Sequence, residues 1–134
     1  MMKLTRAASY AIHALVFMAN QKHNRPIASH HIAQARGIPE RFLLKVLKPL
    51  VSVRVLLSIK GPNGGYRLAK SAHDISLLEI LEAVDGPIRG QSSFDRDETD
   101  GPLNKRLDQI CNQAADQIRK QLHKVRISDL ASKS

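Results

Sequence analysis

The stretch from Leu56 to Ala69, LLSIKGPNGGYRLA, leaves the chain few options. Two short strand-like runs, Leu56 to Lys60 and Tyr66 to Ala69, are separated by Gly61, Pro62, Asn63, Gly64 and Gly65. Glycine enters positive φ without a Cβ penalty, proline presets a turn dihedral and asparagine tolerates the left-handed region. This composition specifies a tight β-hairpin. Lys60 and Arg67 make its base cationic, and its tip has so little bulk that backbone N–H groups can approach a phosphate or enter a groove. No Gly-Lys-Ser/Thr follows and no helix opens after the second glycine, so it is not a nucleotide-binding P-loop; nor is the spacing G-x-G-x-x-G.

At 134 residues, with 43% apolar and 25% charged content, the chain reads as one domain with a core that needs no metal or disulfide. No apolar run approaches the roughly 18 residues of a membrane span, and no secretory h-region is visible, so the expected location is the cytoplasm. The single cysteine, Cys111, cannot pair within the chain or hold a structural metal alone. Charge is uneven. Residues 1–73 carry twelve Lys and Arg against one acid, Glu40; residues 74–134 carry nine against eleven acids. A polyanion would therefore meet the first half, where the same charge read blandly is a solvated basic face.

Apolar residues at Leu4, Ala8, Ala11, Ile12, Leu15, Val16 and Ala19 give the period of an amphipathic helix, which Thr5 caps. Lys3, Thr5 and Arg6 sit at its N-terminus, where free N–H groups favour an anion such as a phosphate. Ser29 is expected to cap a short helix running to Arg36, with Ile32 and Ala33 inward and Gly37 ending it. Ile38 turns inward and Pro39 opens a further helix. That helix is expected to bury Phe42, Leu43, Val46, Leu47 and Leu50, present Glu40, Arg41, Leu44, Lys45 and Lys48, and kink or end near Leu47 because of Pro49. Two helices joined by a glycine turn, the second with a basic outer face, form a helix-turn-helix, and the basic hairpin behind them is its wing. Ser76 and Glu79 form a capping box with Ile75 and Ile80 as a staple, and Gly86-Pro87 stops the helix they start.

The polar stretch from Ile88 to Gly101 reads as a mobile loop. Pro102 then opens a long helix with Leu103, Leu107, Ile110, Cys111, Ala114, Ile118 and Leu122 at spacings of three and four. Such a helix at the end of a domain whose core is already supplied points to pairing with a second copy, a twofold dimer, or else to folding back on its own chain. The tail ISDL, from Ile127 to Leu130, suits docking on the first helix, with disorder expected beyond Ala131. The domain plan is 1–87 for the DNA-binding unit, 88–101 for the loop, 102–126 for the dimerisation helix and 127–134 for the tail. The fold class is mainly α with a small β-hairpin wing.

The stretches LTRAASYAIHAL, IASHHIAQARGIPERFLLKVLKPL, SIKGPNGGYRLAK and ISLLEILEAVDGP resemble the family of winged-helix repressors that includes the iron–sulfur regulator IscR and the nitric-oxide sensor NsrR. The resemblance implies a dimeric bacterial transcription regulator, with the second helix of the helix-turn-helix in the major groove and the wing in the minor groove. It places base-reading positions on Pro39, Arg41 and Leu44, and the minor-groove cation on Lys60. Cluster-binding members carry three cysteines across the loop and the start of the last helix. Here Leu107 falls on the third position, and Cys111 lies a turn further on. One thiol does not hold a cluster that needs roughly four ligands, so no cofactor is expected. The resulting DNA-binding set is Lys3, Thr5, Arg6, Ser29, Pro39, Arg41, Leu44, Lys45, Lys48, Lys60, Gly61, Pro62, Asn63, Gly64, Gly65 and Tyr66. The expected partners are double-stranded DNA and a second copy, with a small-molecule or redox effector left open and no membrane.

Adjacent His30 and His31 point about 100° apart on a helix and do not form a chelating pair. Cys111 reads as a small core or interface residue, with a redox switch as the second reading. No Ser/His/Asp set or pair of carboxylates is arranged for catalysis, and the five aromatic residues form no base-stacking platform.

Overall fold

The structure, a computed structural model, describes residues 3–89 and 101–131. The acidic run from Asp95 to Asp100 and the tail beyond Ala131, for which a loop and disorder were expected, lie outside the described residues. Helix α1, Arg6–Ala19, begins where Thr5 Oγ1 accepts from the Ala8 N–H at 3.0 Å, as expected. Its buried side is small, with Ala8, Ala11 and Ala14 beside Leu15 and Met18, so other helices pack close to its backbone. Leu4 lies before the Thr5 cap, outside the helix, and is 52% exposed.

Helix α2, Ser29–Arg36, is capped by Ala28 without a side-chain bond, which corrects the expected Ser29 cap. Ser29 is already helical and its hydroxyl reaches elsewhere. Gly37 ends α2 in the left-handed region at φ 66°, and the following N–H of Ile38 returns to the Ala33 carbonyl at 2.9 Å. Helix α3, Glu40–Ser52, passes through Pro49 without ending near Leu47. A proline inside a helix costs about 3 kcal/mol. Leu50, one residue later, is fully buried, and burying a leucine contributes roughly 1.5–3 kcal/mol. The Val53 N–H also closes on the Pro49 carbonyl at 3.1 Å. Packing of the last turn therefore offsets most of the proline cost.

Strands β1, Leu56–Ile59, and β2, Gly65–Leu68, pair antiparallel with Leu56 opposite Leu68 and Ile59 opposite Gly65. Each is one residue short of the expected run at its C-terminal end, and Gly65 joins the ladder. Leu56 and Leu68 point into the core, and Ile27 forms a bridge to Tyr66 that adds a third partner to the sheet. Helix α4, Leu77–Asp85, has the full capping box, with Ile75 and Ile80 both buried completely.

Helix α5, Gly101–Lys124, packs on α4, and Ala115 is its one buried residue. Helix α6, Ile127–Ala131, returns to α1 with Ile127 fully buried, so the tail docks where its sequence suggested. Backbone bonds from Leu77 to Val125, 2.8 Å, and from Ile127 to Ile75, 2.9 Å, tie this return to the start of α4.

Candidate nucleic-acid interface

The core face of α3 is completed by Leu43, Val46, Leu47 and Leu50, all buried. This rotation leaves Arg41, Leu44, Lys45 and Lys48 on the outer face, all exposed. Phe42, expected inside, is 37% exposed instead. It flanks the outer face as a platform: the Arg41 guanidinium carbon lies 4.8 Å from its ring centre and the Lys45 ammonium 5.8 Å. Cations over a ring face gain about 0.5–1 kcal/mol at an exposed site. The ring therefore biases two long, flexible side chains toward one region of the surface. The core has no need of Phe42 because Leu43 and Val46 already fill that side of the helix.

Helix α3 starts at Pro39, which is the N-cap residue and not the first helical one, and both Pro39 and Glu40 are exposed. The Ser29 hydroxyl donates to the Glu40 carboxylate at 2.6 Å, so the start of α2 is latched to the start of α3. The sequence reading missed this latch. Its one signal was an acid in the first turn of a helix, where the dipole favours negative charge.

At the hairpin tip Lys60, Gly61, Pro62 and Asn63 are exposed, while Gly64, Gly65 and Tyr66 are half-buried. The Gly64 N–H donates to the Gly61 carbonyl at 3.0 Å and closes the turn. Tyr66 and Ile27 exchange two backbone bonds of 2.8 Å, which seat the base of the wing. Gly65 makes this approach possible: at φ +149°, a Cβ there would lie 2.3 Å from the Ile27 carbonyl oxygen. Between wing and α3 runs an open groove of about 380 Å³, lined by Leu44, Lys48, Val51, Ser52, Ser58 and Tyr66.

Among the described residues, none of Arg41, Lys45, Lys48 and Lys60 is ion-paired. Lys70 is different. Its ammonium lies 2.8 Å from Glu79, so the end of β2 is held to the start of α4. Burial pushes the Glu79 carboxyl up, but Lys70 and the Ser76 N–H and hydroxyl outweigh it, and the group stays below the usual glutamate range. Lys3, Thr5 and Arg6 are exposed beside the end of α4, where the Thr5 hydroxyl donates to the Asp85 carboxylate at 2.9 Å. A carboxylate of the chain's own thus stands at the helix end where a phosphate was expected.

On α5, Leu103 and Ile110 are 50% and 56% exposed. Ala114 is also exposed, whereas Leu107, Cys111, Ile118 and Leu122 are half-buried. Ala115, outside the expected stripe, is the most deeply buried residue of the face that these four half-buried side chains share.

A short helix, a left-handed glycine turn, a second helix with an unneutralised basic face, and a basic hairpin docked beside it define a winged helix-turn-helix DNA-binding domain. The chain belongs to the Rrf2 family, described as iron-dependent transcriptional regulators, whose profile matches residues 4–133. It is similar to protein aau3 of Rhizobium meliloti, 33% identical over 104 residues that cover 76% of this chain and 66% of that protein. It is also similar to the regulator IscR of Vibrio parahaemolyticus, 33% identical over 84 residues, covering 63% and 50%. The chain spans about half to two thirds of the length of these relatives. In fold it matches CymR, the global cysteine regulator of B. subtilis, with a TM-score of 0.77 at 24% identity over 100% of this chain and 99% of that one.

A cluster held by roughly four thiolates does not fit the cysteine content of the chain. Cys111 is the only thiol in the sequence, and no cluster of three His, Cys, Asp or Glu side chains suited to a metal exists among the described residues. No helix among those residues is long and apolar enough to cross a membrane.

Proposed function

We propose that the chain is a sequence-specific, homodimeric transcription regulator of the bacterial cytoplasm, a repressor that acts without an iron–sulfur cluster and without enzymatic activity. The observation that carries this reading is the unpaired set Arg41, Lys45, Lys48 and Lys60, spread over α3 and the wing. Exposed cations on two neighbouring elements suit a polyanion with grooves, with α3 in the major groove and Lys60 and Gly61 to Gly65 in the minor groove. Two copies join through α5, whose outer face leaves Ile110 56% exposed. Repression then follows from occupying promoter DNA.

The alternative is an adaptor that binds nucleic acid without regard to sequence. A competitor titration separates the two. A duplex enriched from a random pool should resist a large excess of random duplex, whereas equal displacement by both would establish the adaptor. Binding should weaken steeply with salt, and replacing Lys48 in both subunits should lower the slope of log K against log salt by about 2.

A further inference from the structure

Leu44 is an apolar side chain that the core leaves partly in solvent. It is 40% exposed on the outer side of α3, between Arg41 and Lys48, while the neighbouring Leu43 and Leu47 are fully buried and complete the core without it. It is the fifth residue of the helix, within the part of a recognition helix that meets base edges. It also borders the groove beside Lys48, Ser58 and Tyr66, so it lies where α3 and the wing converge.

An isobutyl group does not bind phosphate and accepts no hydrogen bond. In the major groove one base-edge group matches it, the C5-methyl of thymine, and apolar side chains read thymine by covering that methyl. The unpaired Arg41, Lys45 and Lys48 around it are charge-complementary to the same duplex. Resting on the DNA-binding reading above, we propose that Leu44 is a specificity determinant that packs on the C5-methyl of one thymine in each half-site.

The test uses the full chain and an operator selected in vitro from random duplex. Each thymine is replaced in turn by uracil, which pairs identically but lacks the methyl. At one position per half-site the replacement should weaken binding about fourfold, the effect of one methyl left uncovered, and about sixteenfold when made in both. Leu44→Ala, and Leu44→Gln as a second variant that keeps side-chain length, should bind the thymine and uracil duplexes equally. A wild-type chain that tolerates every uracil within twofold overturns the proposal. So does discrimination that survives in both variants. Selection that enriches no sequence would instead overturn the sequence-specific reading and this inference with it, whereas an operator indifferent to uracil overturns the methyl contact alone.

Discussion

Replacing Gly65 with alanine tests how the wing is held. At φ +149° an L side chain is strained by about 1–3 kcal/mol wherever it stands. The added Cβ would also lie 2.3 Å from the Ile27 carbonyl oxygen and 2.4 Å from its carbon, both backbone atoms that no rotamer change can move. Either the backbone at Ile27 shifts or the bridge opens, and opening it loses the two 2.8 Å bonds between Ile27 and Tyr66, each contributing roughly 0.5–1.5 kcal/mol. The sum is a loss of about 2–6 kcal/mol. Gly61→Ala is the control, because its φ of +109° carries the same kind of strain while nothing lies within 4 Å of the new Cβ. Urea unfolding followed by circular dichroism should place Gly65→Ala at least about 1 kcal/mol below Gly61→Ala, the smallest loss expected from the opened bridge. Hydrogen exchange should show the Ile27 and Tyr66 amides losing protection. Equal midpoints for the two variants, with protection intact, would refute the steric account of Gly65.

Ser76 is buried and caps α4, so Ser76→Ala should cost about 1 kcal/mol in urea unfolding. The Glu79 carboxyl is held below its ordinary range, so its contribution is present above the unfolded glutamate pKa and fades as pH falls through the lower folded value. Glu79→Gln should flatten that acid limb of the stability profile, and an unchanged limb would place the linkage elsewhere. Ile110→Glu sets a charge on an exposed part of α5, so each chain should keep its helical circular dichroism yet elute as a monomer in light scattering; an intact dimer would move the interface off this helix. Phe42→Ala removes the platform under Arg41 and Lys45 and should weaken operator binding severalfold with little loss of stability, since the ring is outside the core.

Much of this architecture was legible because it is written locally. Thr5, Gly37 and the Ser76/Glu79 box act within one turn, and the glycine and proline pattern of 61–65 restricts the backbone before any tertiary contact forms. The errors arose where tertiary packing decides. Pro49 stays helical because Leu50 is anchored in the core. Phe42 has the right period for burial, but smaller neighbours fill the space, and its ring serves two cations instead. Ser29 has the chemistry of a cap, yet Glu40 offers its hydroxyl a charged acceptor across the turn. At the interface, the cations of α3 could be read from periodicity. The bridge from Ile27 to Tyr66 could not, since it joins residues 39 apart through backbone groups that no side chain announces.

A hydroxyl-radical footprint of the full chain on its selected operator tests the central claim most directly. Two symmetric zones of protection should appear on one face of the duplex, with centres about one helical turn, roughly 34–36 Å, apart or a multiple of it. Protection should fade in parallel across both zones as salt rises. A single asymmetric zone, or uniform weak protection along the duplex, would contradict the account.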